Sequence, residues 1–508
     1  YDKKGKAAAA EARKKITMAK ISEGCVIDLK YQIISPYPTS IEDVEFQKSI
    51  PIKKLKSQIE FPEYYTFKTL AKGYYNVPVK NTSRGSRIGD ITFRTEILIF
   101  EDENIPALKN TEAYVANINN YRGGVKFELA QTDFISIGGE FKNYSNSWET
   151  VSKQIFKSTS FGDELDKSSY YKNDLEKILA NATTDQEKIG VIFQFVKSKV
   201  KWNGFYSKYA EKGVRAAYKE NTGNVADINL MLTSMLRFAG LEANPVLVSS
   251  RGNGVPLFPT LNGFDYVISI VQFPDNSYIL LDATEMYSLP NVLPVRALNW
   301  DGRIVTKDGA SSWVKLSSTK HAIEENMVMV KISDDLIVER LIRTKYENLN
   351  ALNFRRNYNH IKEEELIKNY EENNNIETEE FKILNQEDIY RDIVRNVKFS
   401  SEDLIEQIGN KLYVEPNLFL TKRENPFKLA ERKYPVDFAT AWRDVNRVSI
   451  DIPEGYSVEK LPEPLAIALP NNLGVFKYQV SQNGNKVKSV SILEFNSGMI
   501  PSEYYAYL

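Results

Sequence analysis

Alternating apolar and polar positions dominate the first part of the chain. Residues 25–35, CVIDLKYQIIS, and residues 89–101, GDITFRTEILIFE, both repeat with a period of two, which is typical of half-buried strands. The pattern predicts Cys25 as a small buried residue within a strand. Residues 1–15 are basic and alanine-rich, and we interpret them as a tail. We therefore expect residues 1–165 to form an N-terminal β-sandwich-like domain.

A helical period replaces this alternation from about Tyr171. In residues 183–202 apolar positions recur at core spacing, and Thr184 or Asp185 is placed to cap the helix. A further helix is predicted within residues 221–250, with Gly240 as a left-handed stop. Its apolar positions predict one apolar stripe formed by Val225, Ile228, Leu232, Met235, Leu236 and Ala239.

Strand patterns follow these helices and then fill the rest of the chain. The first three are predicted over residues 244–251, 264–273 and 278–284. Helices followed by a strand meander predict an α+β core over residues 166–315. Residues 316–508 predict a second β-sandwich, with hairpin turns at SDD, 333–335, and QNGN, 482–485. One inserted helix is expected over residues 349–373.

Composition removes several function classes. A length of 508 residues predicts two to four domains, and a net charge of −1 gives no reason to expect nucleic acid. No run of 18 apolar residues is present, so no transmembrane segment is predicted. Cys25 is the single cysteine, and the two histidines are His321 and His360. Histidine-dependent chemistry and cysteine-rich zinc sites are therefore not expected in residues 1–320, and no metal or cofactor is predicted.

Three motifs in the predicted core carry a family resemblance. They are GNVADINLMLTSMLRFAGLEANPVLV, FDYV and LLDATE. Residues 170–305 resemble the transglutaminase-like superfamily, which shares the papain-type arrangement of a cysteine at a helix start and a histidine and an aspartate on later strands. The resemblance implies that Val225 stands at the cysteine position and Tyr266 at the histidine position. Asp282 keeps the aspartate, so two of the three catalytic residues are missing.

The wider chain resembles bacterial envelope proteins, mostly from Bacteroidota. In these proteins a β-rich domain of unknown function precedes the transglutaminase-like core and another β-domain follows it. Residues 16–37 and 46–67 are similar to the end of the leading domain, 293–305 to the core and 500–508 to the approach to the C-terminus. The resemblance implies a periplasmic or outer-membrane-associated protein with protein partners in an envelope assembly. It also implies that the start of the leading domain and a short C-terminal piece are missing.

Three functions are compatible with these residues. The favoured one is a non-catalytic binding or scaffold subunit, and an active transglutaminase or thiol-protease-like enzyme is the alternative. Such an enzyme needs a nucleophile and a base. The hydroxyls near Val225 have no histidine partner that could act as this base, and they belong to Thr222, Ser249 and Ser250. A third is a carbohydrate-active or carbohydrate-binding module that uses the carboxylates of Asp282 and Glu285.

Single residues also have purely structural interpretations. Val225 fits a core position, Tyr266 an ordinary strand position and Asp282 a turn or cap. The lysines of this region give no sign of burial. Four aromatic residues precede the core helix, and packing in the core is the favoured interpretation for them. If they are exposed instead, they are expected to line a groove above Val225. They are Trp202, Phe205, Tyr206 and Tyr209.

Overall fold

The structure is a computed structural model that describes residues 22–25, 30, 32–35, 37–144, 147–317 and 320–508. The predicted tail, 1–15, lies outside these residues, as does much of the predicted strand 25–35. Cys25 itself is exposed and lies outside any strand, so the predicted buried strand cysteine is wrong. Its backbone N–H donates to the Ser22 carbonyl in a turn. Alternation alone cannot show whether a partner strand is available to cover a segment.

Two antiparallel sheets form the N-terminal region. One has the order β2-β5-β4, and the other has the order β1-β6-β3 with β7 paired to β6. Phe100 of β5 and Phe127 of β6 meet between them with ring centres 6.4 Å apart, so the sheets share one core as the predicted sandwich requires. The strands are β1 (Val44–Glu45), β2 (Ile52–Pro62), β3 (Tyr65–Lys72), β4 (Val79–Ile88), β5 (Ile91–Ile105), β6 (Gly124–Asp133) and β7 (Phe141–Asn143).

Helices begin earlier than the periodicity predicts, at Trp148 rather than near Tyr171. Thr184 caps the long helix α4 with a capping box, since its hydroxyl accepts from the Glu187 N–H and the Glu187 carboxylate accepts from the Thr184 N–H. The elements are α1 (Trp148–Phe156), α2 (Gly162–Leu165), α3 (Lys172–Leu179), α4 (Asp185–Lys199), β8 (Lys201–Trp202), α5 (Val214–Glu220), β9 (Thr222–Gly223) and α6 (Val225–Phe238).

Helix α6 is the centre of the core. It begins at Val225 and ends in a Schellman motif, in which Gly240 has a φ of +83° and the Leu241 N–H donates to the Leu236 carbonyl. Every residue from Val225 to Leu236 is buried, including the polar ones. Five of the six predicted stripe residues are buried and Ala239 is half-buried, but the other faces of α6 are buried as well. Other helices and a sheet surround α6, and such a helix buries all of its faces.

A five-stranded antiparallel sheet packs against α6, in the order β12-β11-β10-β13-β14. Its strands are β10 (Ala243–Val248), β11 (Tyr266–Gln272), β12 (Tyr278–Leu281), β13 (Asp301–Val305) and β14 (Ser311–Lys315). The same hydrophobic core extends from Val151 in α1 to Leu352 beyond the sheet. The domain boundaries expected near 165 and 315 stay predictions.

The C-terminal region is built on one eight-stranded sheet, in the order β17-β18-β16-β15-β22-β25-β24-β23. All pairs are antiparallel except β15 with β22. The second β-layer expected of a sandwich is small. Ile405 and Val414 of the hairpin β19–β20 cover part of the sheet's core with Leu418. The first strands are β15 (Ala322–Ile332), β16 (Val338–Glu347), β17 (Glu377–Leu384), β18 (Ile393–Ser401), β19 (Ile405–Ile408) and β20 (Lys411–Val414).

The remaining strands complete this sheet and add a short pair, β21–β26. They are β21 (Val436–Asp437), β22 (Trp442–Asp451), β23 (Leu465–Ala468), β24 (Gly474–Asn483), β25 (Lys486–Phe495) and β26 (Met499–Ile500). Both predicted hairpin turns are confirmed, at residues 333–337 and 484–485, where Gly484 has a φ of +61°.

The single inserted helix predicted over 349–373 is wrong, because two helices occupy the segment. They are α7 (Leu349–Tyr358) and α8 (Glu363–Asn374). The Asn359 side chain donates to the Gln386 carbonyl where the chain turns between them. None of the helices in the described residues combines the length and hydropathy needed to span a bilayer.

One arginine of the C-terminal region contacts the N-terminal region, and one arginine of the core contacts the C-terminal region. Arg432 donates to the backbone carbonyls of Ala113 and Tyr114, at 2.8 and 2.9 Å. Arg251, which follows β10, pairs with Asp437 at 3.0 Å. These contacts join segments that are far apart in sequence.

Candidate functional site

Val225 is the first residue of α6 and is fully buried. Its N–H donates to the Phe205 carbonyl at 3.3 Å. The preceding Asn224 caps the helix, accepting from the Asp227 N–H at 2.8 Å, and the Asp227 carboxylate accepts from the Asn224 N–H at 3.0 Å. The chain's own groups therefore complete the helix start, and the side chain at its first position is apolar.

Tyr266 and Asp282 meet in space, 16 positions apart in sequence. Tyr266 begins β11 and Asp282 follows β12, and these neighbouring antiparallel strands bring the two side chains together. The Tyr266 hydroxyl donates to Asp282 Oδ2 at 2.8 Å. Burial, and then the charge of Asp282, raise the pKa of the fully buried Tyr266 well above its ordinary value. Tyr266 therefore keeps its proton near neutral pH and cannot act as a general base there.

Both oxygens of Asp282 are occupied. Oδ1 accepts from the Asn229 amide at 3.0 Å and from the backbone N–H and hydroxyl of Thr284 at 3.0 and 2.6 Å. Asn229 lies one turn along α6 from Val225, and its own oxygen accepts from the Ala283 N–H at 2.9 Å. The aspartate thus fastens the core helix to the end of β12.

Arg296 completes a cluster with Tyr266, Asp282, Asn229, Thr284 and Glu285, which we call the Tyr266 network. It lies in a short 3-10 helix, Val295–Ala297, between β12 and β13, and donates to the Tyr266 hydroxyl at 3.0 Å and to the Thr284 hydroxyl at 2.9 Å. It also pairs with Glu285 at 3.0 Å. Burial lowers the pKa of Arg296, but the neighbouring Tyr266, Asp282 and Glu285 outweigh burial and raise it overall. Arg296 is therefore a permanent positive charge beside Asp282.

Lys197 adds a second buried cation next to the network. Its ammonium donates to the Ser288 and Met286 carbonyls at 2.8 and 3.2 Å, and it lies near Glu285. Burial lowers the pKa of Lys197 to about 8. The expectation that no lysine of this region is buried is wrong, because the aliphatic stem of a lysine can pack in a core.

The four predicted aromatic residues have different environments. Phe205 and Tyr206 are 66% and 43% exposed, so core packing is wrong for both. Trp202 stacks on Tyr206 with ring centres 5.6 Å apart, and Tyr206 meets the ring of Tyr266 edge-on at 5.4 Å. Tyr209 is half-buried and packs against the core. Trp202 and Tyr206 therefore lie next to the Tyr266 network, and Phe205 is exposed in the same segment, so we call these three residues the aromatic rim.

Trp202 also contacts Arg296. The Arg296 guanidinium lies 4.5 Å from the centre of the Trp202 ring. The Trp202 indole N–H donates to the Phe205 carbonyl at 3.1 Å, the same carbonyl that the Val225 N–H contacts. One chain of contacts therefore runs from the helix start through the aromatic rim to the arginine.

Two of the hydroxyls and both carboxylates named from the sequence are hydrogen-bonded or ion-paired within the protein. Ser249 donates to the Gly254 carbonyl, and Ser250 donates to Asp265. Glu285 is paired with Arg296, and Asp282 is held as described above, so the two do not form an open acid–base pair. Across residues 22–25, 30, 32–35, 37–144, 147–317 and 320–508, no group of three or more metal-binding side chains is assembled.

Arg296, Asn229 and Lys197 were not among the predicted site residues. Arg296 lies within the core-like stretch LPVRALNW, but the catalytic motif does not include it. Asn229 was the detectable one, because a polar residue four positions after Val225 shares its face of the helix. Only the folded chain shows that all three surround Asp282 and Glu285.

Comparison with known families identifies this region. A profile of the transglutaminase-like superfamily matches residues 173–283, which contain Val225, Tyr266 and Asp282. Residues 173–283 are a transglutaminase-like core. After this core, a domain of unknown function with a solved structure, DUF3858, matches residues 410–508. No curated protein matches the chain.

Two solved structures also resemble the chain that carries the transglutaminase-like core. A crystal structure of a candidate protease from Parabacteroides distasonis ATCC 8503 has 13% identity and a TM-score of 0.49, covering 91% of this chain and 70% of that one. A candidate cysteine protease from Cytophaga hutchinsonii has 12% identity and a TM-score of 0.21, covering 54% of this chain and 83% of that one.

Proposed function

We propose that this chain is a non-catalytic member of the transglutaminase-like superfamily that acts by binding a protein partner in the bacterial envelope. The observation that carries the proposal is Val225 at the start of α6, where the superfamily resemblance implies a cysteine. A valine has no group that attacks a carbonyl, and residues 1–320 contain no histidine. The chemistry of a thiolate–imidazole pair therefore has no residues to perform it.

The Tyr266 network supports the proposal, because it divides the roles of a catalytic imidazolium between two residues. Tyr266 supplies the hydrogen bond to Asp282, and Arg296 supplies the positive charge. Tyr266 and Asp282 are completely buried. The aspartate is thereby stabilised without an imidazole, and neither Tyr266 nor Arg296 gives up its proton near neutral pH to act as a base.

The aromatic rim supports a binding role. Phe205 and Tyr206 expose large apolar surfaces, and exposed aromatic residues are enriched where proteins contact partners. Trp202 contacts both Tyr206 and Arg296, and these contacts hold the rim in place. A periplasmic or outer-membrane-associated location is part of the same proposal and rests on the family resemblance. The alternative, an active acyl-transfer enzyme, requires a nucleophile outside the motif.

A labelling series tests the loss of catalysis. In a Cys25→Ser background, Val225→Cys alone should react slowly with iodoacetamide, because its thiol is buried and has no partner base to form the thiolate. Val225→Cys with Tyr266→His restores the three family residues with Asp282 and should react faster. Rates are measured by intact-protein mass spectrometry across pH.

Ala226→Cys, combined with Tyr266→His, is the matched control. Ala226 is equally buried on the same helix but one position away, so its thiol should not gain reactivity from the histidine. Equal acceleration at both positions would contradict the placement of Val225 at the cysteine position. Labelling of a native residue other than Cys25 by an acyl-enzyme probe would contradict the non-catalytic proposal itself.

Affinity purification from bacterial envelope fractions tests the binding role and the location. Phe205→Ala and Tyr206→Ala together should remove a partner that the wild type retains. Tyr390→Ala, which truncates an aromatic residue 65% exposed in the C-terminal region, should retain it. Recovery of the protein from the cytoplasmic fraction, or a partner unaffected by the rim variant, would contradict these parts of the proposal.

A further inference from the structure

A cavity of about 330 Å³ opens on the eight-stranded sheet of the C-terminal region. Strands β22, β24 and β25 supply its floor, and residues 415–422 supply a wall. It shares no residue with the Tyr266 network. The volume lies within the range of small-molecule sites in proteins, about 300–1,000 Å³.

Strand register places two rows of side chains across this floor. Asp444, Leu493 and Phe476 are directly opposite one another on β22, β25 and β24. The second row follows two residues along each strand, so both rows face the same side of the sheet. The floor is therefore polar on its β22 side and aromatic on its β24 side. The second row consists of Asn446, Ser491 and Tyr478.

A chain of hydrogen bonds crosses the sheet and ends at the cavity. The Thr344 hydroxyl donates to Asn326 Oδ1 at 2.8 Å, and Asn326 Nδ2 donates to Asn446 Oδ1 at 3.0 Å. The Asn446 oxygen is thereby used, which leaves its amide nitrogen as a donor. Within the described part of the chain, this nitrogen has no hydrogen-bond partner.

Asn417 in the wall has the same hydrogen-bonding pattern as Asn446 in the floor. Asn417 Oδ1 accepts from the Ser489 hydroxyl at 2.7 Å, and the Asn417 amide nitrogen likewise has no partner among the residues that the structure describes. Two amide donors on opposite elements therefore line one cavity. Their oxygens are already occupied, so both amides are fixed in the orientation that offers nitrogen to a ligand.

Charges around the cavity balance. Asp444 pairs with Lys422 at 2.7 Å, and Glu415 pairs with Arg423 at 2.9 Å. Each carboxylate therefore has its own cation, and no surplus of either sign is left to hold a charged ligand. The Asp444 carboxylate still has a second oxygen able to accept a hydrogen bond from a hydroxyl group.

We infer that this cavity binds a neutral sugar, with its ring against Phe476 and Tyr478 and its hydroxyl groups on Asn446, Asn417 and Asp444. Aromatic rings match the apolar face of a sugar ring, and amides and a carboxylate match its hydroxyls. The inference is independent of the non-catalytic proposal, because it concerns a different sheet and different residues.

Saturation-transfer difference NMR on the full chain tests the inference. The probes are glucose, galactose, mannose, N-acetylglucosamine, maltose and lactose, with glucuronate and galacturonate as charged analogues. At least one neutral sugar should receive saturation at its ring protons. Tyr478→Ala and Asn417→Ala should each weaken its binding about tenfold, which is the scale of losing one well-placed contact. Asn417 lies outside the strands, so its variant preserves the test if the Tyr478 variant fails to fold.

Tyr456→Ala is the matched control, because Tyr456 is an exposed tyrosine that does not line the cavity. It should bind the sugar as the wild type does. The inference is overturned if none of the neutral sugars binds or if binding survives in both cavity variants. Tighter binding of the uronates than of the neutral sugars would overturn it as well.

Discussion

The Tyr266 network and the sugar-sized cavity are both polar clusters on sheets, yet they differ in what their groups contact. In the network, Asp282 accepts hydrogen bonds from Tyr266, Asn229 and Thr284, and Glu285 pairs with Arg296. In the cavity, the amide nitrogens of Asn417 and Asn446 have no partner in the described residues. The first cluster is closed by the protein itself, while the second offers hydrogen-bonding groups to a ligand.

This difference separates a structural use of polar residues from a binding use. A buried charge is tolerated only when its hydrogen bonds and countercharge are provided, and such a cluster holds the fold together. A partly open cluster contributes less to folding and more to recognition. The position of a catalytic motif in the sequence therefore says less about function than the hydrogen bonds that its residues make.

Removal of one cation from each cluster is expected to give the largest difference between the two clusters in the loss of unfolding free energy. Arg296→Ala leaves two buried carboxylates without their arginine and should lower the free energy of unfolding by about 3–5 kcal/mol. Lys422→Ala removes an exposed cation from Asp444 and should cost about 0–1 kcal/mol. Urea denaturation followed by tryptophan fluorescence measures both. Similar losses for the two variants would break the distinction.

Removal of one hydroxyl from each cluster gives a smaller contrast. Tyr266→Phe removes the donor to Asp282 and the acceptor of Arg296, so it should cost about 1–3 kcal/mol. Tyr478→Phe alters a half-buried residue at the cavity and should change the free energy of unfolding by about 0.5 kcal/mol or less. The same denaturation experiment compares the two variants. If Tyr266→Phe leaves the free energy of unfolding unchanged, the network is not closed.

The pH dependence of stability tests the second buried cation. Since burial lowers the pKa of Lys197 to about 8, the folded protein loses this proton at a lower pH than the unfolded chain, whose lysine has a pKa of about 10.4. Between these values the unfolded state binds more protons, so stability rises with pH by at most about 1.4 kcal/mol per unit. Lys197→Met lacks this contribution.

The measurement is the difference in free energy of unfolding between Lys197→Met and the wild type from pH 7 to 10. The comparison cancels the other titrating groups, which both proteins share. Lys197→Met should be the more stable protein at pH 7, and its advantage should shrink as pH rises above 8. A difference that is constant across the range would show that Lys197 keeps an ordinary pKa.

Local signals in the sequence predicted much of the fold. Thr184, Gly240 and the turn at Gly484 each act through the backbone of a few residues, and all three behave as expected. All-round burial of α6 and the break between α7 and α8 depend on partners distant in sequence. No pattern within a single segment contains that information.

The candidate site was predictable only in part. The motif positions led to Val225, Tyr266 and Asp282, and the antiparallel pairing of β11 with β12 explains why the last two meet. Arg296 was not predicted, because its role depends on the segment after β12 placing its guanidinium against the Trp202 ring. The cavity was not predicted either, because its two rows of side chains come from three strands and their register is defined only in the folded sheet.

Steady-state turnover by the wild type tests the loss of catalysis most directly. Fluorogenic peptide hydrolysis and incorporation of a labelled amine into a glutamine peptide are measured with purified wild type and with Cys25→Ser. We expect both activities to equal the rate without protein, because Val225 provides no nucleophile and the Tyr266 network no base. Turnover that persists in Cys25→Ser and disappears in Asp282→Asn would contradict this expectation and place an active site at the network.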